Sequence, residues 1–186
     1  MDLTAVYERS LSATGRVVDG VQPEQLQGPT PCTEWDVRLL LHHVIGANFM
    51  FAGVAAGGTM DAGGEMPELT ALDPAAVYAE SAAQVLAAWR QPGALDRRCH
   101  LSFGDMPARA TMAIHLLDSV VHGWDLAKAT GQDTTLDPEL ADAALVVAEG
   151  MISDALRATG AFGPAVAVAA DAPVGDRLVA FTGRQP

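Results

Sequence analysis

Apolar residues recur at helical spacing in five stretches of the chain, and loops rich in Gly and Pro separate them. Residues 3 to about 18 set Leu3, Val6, Tyr7, Leu11, Val17 and Val18 along one face, and Gly20 and Pro23 close this helix. In the stretch 28–36 two prolines forbid helix, Thr33 offers an N-cap hydroxyl and the acids suit a first turn, so a second helix is predicted from about Glu34 to Ala55. Asp73-Pro74 caps a third, carried by Val77, Val85, Leu86 and Trp89 and ended by Pro92-Gly93. A fourth, from about Arg109 to Thr130, stops at Gly131 as its C′ residue. A fifth opens at Asp137-Pro138 and carries Leu140, Ala144, Val147, Met151 and Leu156 to about Ala158.

The connections read differently. Five glycines between Gly53 and Gly64 predict a mobile loop. From Leu95 to Ala108 the pattern shortens, and Phe103-Gly104-Asp105-Met106 reads as a turn between two short strands. The tail after Gly160 has room for one short helix around Gly175 to Thr182. With no repeat and no dividing linker, the 186 residues are expected to form one domain, 1–186, a mostly α bundle of four or five helices with a short β-hairpin.

Composition narrows the function. Aromatics make up 5% of residues, which argues against an all-β fold. A net charge of −12, with 11 Lys and Arg that never cluster, disfavours nucleic acid and anionic lipid as partners. The start has no basic segment followed by an apolar run, and no stretch reaches the roughly 18 uninterrupted apolar residues of a membrane span, so a cytoplasmic location is expected. Cys32 and Cys99 form neither a disulfide framework nor a paired-cysteine zinc motif.

The chemistry lies on the second and fourth helices. Positions four apart differ by about 40° around a helix axis, so Asp118 and His122 project from one face within reach of a single ion. His43 shares its face with Leu39, Leu40, Ala47 and Met50 and points inward, whereas His42 lies beside Arg38. Thr111, His115, Asp118, Ser119, His122 and Asp125 form one polar stripe, which suits either a solvent-facing surface, a homodimer contact or a ligand set. The wide apolar arc on the rest of that helix makes it central, and a polar stripe on a central helix needs partners or a cavity. Two imidazoles and a carboxylate leave coordination positions open and suit zinc, nickel or ferrous iron. His115 reads first as a surface histidine, with a fourth ligand or a supporting group as the alternatives. Cys32 reads as a buried structural cysteine, and Asp125 as an acceptor for the next element or a tie within the helix array.

The run Thr30-Pro31-Cys32-Thr33-Glu34-Trp35-Asp36-Val37-Arg38 leading to His43, with Asp118-Ser119-Val120-Val121-His122-Gly123-Trp124-Asp125, resembles the mycothiol-dependent maleylpyruvate isomerase-like branch of the DinB/YfiT superfamily. So do the Phe103-to-Pro107 turn and the ending Asp176-Arg177-Leu178 to Gly183-Arg184. The resemblance implies a DinB-like four-helix bundle with an extra helix, and a zinc or related ion held by His43, Asp118 and His122. It also implies mycothiol as a small-molecule thiol partner and S-transfer or isomerisation of a small electrophilic substrate. Isomerases of that branch carry glutamate where Asp118 stands and an additional C-terminal domain that this chain is expected to lack. A non-catalytic metal- or ligand-binding bundle with a stress or regulatory role is the competing reading.

Overall fold

The computed structural model describes residues 2–60 and 73–186. Helix α1 spans Leu3–Asp19 and starts where the Asp2 carboxylate accepts the Thr4 N–H at 3.0 Å. Helix α2 spans Val37–Ala55, α3 spans Pro74–Trp89 and α4 spans Ala108–Thr130. Between α3 and α4 lie strands β1 (Arg98–Leu101) and β2 (Gly104–Pro107), an antiparallel hairpin. Helices α5 (Pro138–Met151), α6 (Asp154–Ala158) and α7 (Val174–Phe181) follow. Asp73-Pro74 and Asp137-Pro138 act as read: each Asp side chain accepts a first-turn N–H and each Pro occupies the first helical position. Gly131 ends α4 in the left-handed region, with Gln132 N–H bonded to the Ala127 carbonyl at 2.9 Å.

Helices α1 to α4 make the four-helix bundle, α1 packing on α3 and α4, and α2 on the same two. Tyr7, Leu11, Leu40, Ile45, Val85, Trp89, Met112 and Leu116 are fully buried at its centre. Burial of each large apolar side chain there stabilises the fold by about 1.5–3 kcal/mol. Two buried polar pairs link helices: Tyr78 donates to the Leu11 carbonyl at 2.9 Å and Asn48 to Ser81 at 2.9 Å. Helix α5 packs on α4 and on α7, so the C-terminal segment returns to the bundle. By length and composition α2 could cross a bilayer, and half of that stretch is buried among the other helices.

Four expectations shift. Helix α2 begins three residues late, because the Asp36 carboxylate, not Thr33, accepts an amide of the first turn, that of Leu39 at 2.8 Å. Residues 33–35 stay in a turn held by the Trp35 N–H on the Cys32 carbonyl. The α5 stretch is not continuous to Ala158: Ile152 is extended, and Ser153 caps a new helix by accepting the Leu156 N–H. Gly53 belongs to α2 rather than to a loop, while residues 61–64 of the predicted loop lie outside the described residues. The hairpin turns at Ser102-Phe103, since Leu101 pairs with Gly104 in a two-residue loop.

One close approach governs how α1 meets α4. A Cβ on Gly123 would lie 2.7 Å from Thr14 Oγ, and that hydroxyl cannot swing away because it donates to the Ser119 carbonyl at 2.9 Å. Gly53 faces open space. Gly53→Ala is expected to raise stability by about 0.5–1 kcal/mol through helix propensity. Gly123→Ala is expected to lower it, because overpacking at about 1–3 kcal/mol exceeds that gain. Denaturant midpoints of the two variants, measured side by side, check the opposite signs.

Candidate metal centre

The polar stripe of α4 faces the inside of the bundle. Thr111, His115, Ser119 and Asp125 are all buried. Neither the solvent-facing reading of the stripe nor a homodimer contact along it survives, because α1, α2 and the chain's own C-terminal segment cover it.

Three of the predicted residues converge. His43, on the second turn of α2, donates from Nε2 to Asp118 Oδ1 at 3.1 Å, and His122 Nε2 lies 3.5 Å from the same oxygen. One donor atom from each of His43, Asp118 and His122 falls within 4.8 Å of the others. Trp35, held in the turn before α2, lays its ring 4.7 Å from that of His43 and 5.7 Å from that of His122, walling one side. The side chains of His43, Asp118 and His122 are 34%, 23% and 13% exposed, so the cluster opens to solvent on the His43 side.

Electrostatics bind the cluster together. Burial alone would lower the His43 pKa, but the Asp118 carboxylate beside it outweighs that and raises it. Burial alone would raise Asp118, yet the neighbouring His122 and the hydrogen bond from His43 hold it well below the usual carboxylate range. Asp118 is therefore an anion. Its Oδ2 is buried with no hydrogen-bond partner among the described residues, an arrangement that costs about 1–3 kcal/mol or more unless a further group satisfies it. A charged carboxylate with one oxygen facing two imidazole nitrogens and the other without a donor fits a divalent cation by both charge and ligand type.

A second set lies on the outer side of His122. Its Nδ1 is 3.0 Å from Asp125 Oδ2, and Cys32 Sγ, half-buried, is 3.3 Å from that oxygen and 3.9 Å from Nδ1. Cys32 is thus not a plain structural cysteine, although burial and the Asp125 charge push its thiol up to about 12 against the pull of Arg184. Cys32, His122 and Asp125 also have ligand-type atoms within 4.8 Å. Arg184 already occupies Asp125, with Nη2 on Oδ2 at 2.8 Å and Nε on Oδ1 at 3.2 Å. The outer acid is therefore neutralised and filled, and the inner set is the better cation site. Asp125 is an acceptor, but its donors are Cys32, His122 and Arg184 rather than a group of the next element; the partnership with Arg184, 59 residues away, was not foreseen.

His115 is a correction. It is 1% exposed, its Nδ1 hydrogen-bonded to the Tyr7 hydroxyl at 2.7 Å and its ring stacked on Phe51 at 4.2 Å. Tyr7 and Phe51 sit on other helices, and their arrival opposite His115 follows from packing that a single helical wheel does not contain.

A four-helix bundle with an inward-facing His-Asp-His cluster defines a DinB-like protein of the maleylpyruvate isomerase branch. The chain belongs to the family described as mycothiol maleylpyruvate isomerase N-terminal domain, whose model matches residues 7–127. It is 34% identical over 185 residues to the uncharacterized proteins MT0763 (strain CDC 1551 / Oshkosh) and Rv0738 (strain ATCC 25618 / H37Rv) of Mycobacterium tuberculosis, covering 99% of this chain and 98% of each relative. A crystal structure of a histidine-to-alanine mutant of the mycothiol-dependent maleylpyruvate isomerase superposes with a TM-score of 0.65 at 17% identity, over 89% of this chain and 73% of that one, which shows a shared fold.

Burial holds the His115 pKa down at about 4, against the pull of the Asp118 charge. The unfolded chain takes up a proton below about 6.5 while the native ring stays neutral. Stability is therefore expected to fall as pH drops from about 6.5 to 4, by about 3 kcal/mol from this group. The low-lying Asp118 and Asp125 lose their contributions only below that window, and His43 loses its own above it. Unfolding midpoints of metal-free protein across the window check the slope, and His115→Gln is expected to flatten it.

Proposed function

We propose that this protein is a metal-dependent thiol enzyme, in which His43, Asp118 and His122 hold one divalent cation, zinc by preference with nickel or ferrous iron as alternatives. The observation that carries the reading is the Asp118 carboxylate, whose Oδ1 faces two imidazole nitrogens while its buried Oδ2 has no hydrogen-bond partner among the described residues. When bound, a cation of this kind supplies Lewis-acid chemistry, lowering the pKa of a coordinating thiol so that a thiolate is available near pH 7.

The chain's own residues do the rest. His43 carries a proton on Nε2 while it faces Asp118, and gives it up when that nitrogen becomes a ligand. Asp118 compensates the positive charge, and Trp35 keeps water from one side of the cluster while the His43 side stays open to a small thiol. Membership of the mycothiol maleylpyruvate isomerase N-terminal domain family supports mycothiol as that thiol and a small electrophile as its substrate. Reversible addition of the thiolate sulfur to an activated double bond lets the former double bond rotate, and expulsion of the same thiolate then gives an isomerisation. If another group leaves instead, the outcome is S-transfer. A cofactor kept as a free thiol suits a reducing cytoplasm, and a chain of charge −12 suits a small-molecule partner better than nucleic acid.

Untagged protein is expected to hold one equivalent of metal, and His122→Ala to lose it, as read by elemental analysis. With metal bound, a panel of electrophilic alkenes is expected to turn over only when a low-molecular-weight thiol is added. Absence of stoichiometric metal from the native chain sinks the site. Metal without turnover for any thiol leaves a binding bundle and sinks the enzyme.

A further inference from the structure

The inner cluster uses one nitrogen of His122, and the other is committed elsewhere. Asp125 is fully buried, on the same face of α4 one turn further on. Its Oδ2 receives His122 Nδ1 at 3.0 Å, Arg184 Nη2 at 2.8 Å and the Cys32 thiol at 3.3 Å, and its Oδ1 receives Arg184 Nε at 3.2 Å. Donors surround the carboxylate, so it cannot rotate away from the imidazole.

Arg184 is itself placed by the backbone. Gly183 follows α7 at φ +91, and the Gly183 and Arg184 amides close back on the Ala180 and Val179 carbonyls at 3.0 and 2.8 Å. A Cβ on Gly183 would lie 2.8 Å from the backbone of Gly163, so only glycine fits this cap. The guanidinium leaves it aimed at α4, with the Arg184 side chain only 10% exposed.

We infer that Asp125, locked by Arg184 from the C-terminal segment, is a positioning residue that fixes His122 in the Nδ1–H form and aims the Nε2 lone pair at Asp118. Resting on the metal-site reading above, this assigns the C-terminal segment a part in building a site whose ligands all lie on α2 and α4. It also accounts for the inner geometry: with the proton on Nδ1, an imidazole lone pair faces Asp118 Oδ1 at 3.5 Å, two acceptors opposed across a gap that a cation reconciles.

Two readouts on the full chain test it. The first needs no metal: nitrogen chemical shifts of His122 in metal-free protein report which ring nitrogen bears the proton. Native protein is expected to show Nδ1–H, Asp125→Ala to lose that preference, and Asp125→Asn, whose amide oxygen still accepts, to keep it. The second is zinc affinity by chelator competition, expected to weaken about 10- to 100-fold in Asp125→Ala and to recover in part in Asp125→Asn. Because Asp125→Ala strands a buried guanidinium, Asp125→Ala/Arg184→Ala removes both charges together and is used if the single variant does not fold. An Nε2–H tautomer in the native protein overturns the inference. So does a folded Asp125→Ala or Asp125→Ala/Arg184→Ala variant that keeps the native tautomer, or that binds zinc within about twofold of native. If the tautomer responds as expected but the native protein holds no zinc, the positioning role stands and the metal reading is what fails.

Discussion

Burying the polar edge of α4 is the constraint to which the rest of the bundle answers. A hydroxyl, imidazole or carboxylate removed from water must find a partner or destabilise the fold, and here the partners come from every direction. Thr111 donates to the Pro107 carbonyl one turn back, His115 meets Tyr7 of α1, and Asp118 meets His43 of α2. Ser119 meets Thr14 of α1, and Asp125 meets Arg184 beyond α7. Because the pairs tie α4 to three separate parts of the chain, they fix its rotation more strictly than apolar packing would, since hydrocarbon surfaces slide at little cost and hydrogen bonds do not.

That constraint explains why some features were legible in the sequence and others were not. Helix starts at Asp73-Pro74 and Asp137-Pro138, and the stop at Gly131, depend on groups within a few residues of each other, so local chemistry was sufficient. The start of α2 was misread because Thr33 and Asp36 both make plausible caps. The choice depends on the stretch 28–36 folding back, with the Val37 and Arg38 amides bonded to the Gly28 and Leu26 carbonyls. The convergence of His43, Asp118 and His122 was legible because helical spacing and family motifs both marked them. His115 was misplaced, and Arg184 was marked only as part of a family-like ending with no role, because their roles are decided by residues more than 50 positions away in the chain. Periodicity identifies a polar face; it does not say what stands opposite.

The C-terminal part of the chain therefore does more than cover the bundle. The family match ends at residue 127, and the segment beyond it supplies α5, α7 and the cap that presents Arg184. Helix α7 lies against α5, and α5 lies against α4, so a rigid path runs from the site's outer acid through two helices and back to the same acid. A free tail bearing an arginine would pay side-chain and backbone entropy for this contact; a tail already ordered by packing and by the Gly183 turn pays little.

The two aspartates on one face of α4 show how surroundings, not residue type, divide the work. Asp118 and Asp125 are both anionic and both touch His122. Asp125 is completely enclosed, and a bidentate guanidinium cancels its charge, so it acts on the imidazole only through a hydrogen bond of fixed direction. Among the described residues Asp118 meets imidazoles alone, which neutralise it incompletely and leave one oxygen without a partner. Interchanging their environments would move the uncompensated carboxylate to the outer side of His122, against the Cys32 thiol. With the arginine where it is, the inner pocket keeps the uncompensated negative charge and the opening to solvent, and that pairing of charge with access is what the proposed binding of a cation and a thiol requires.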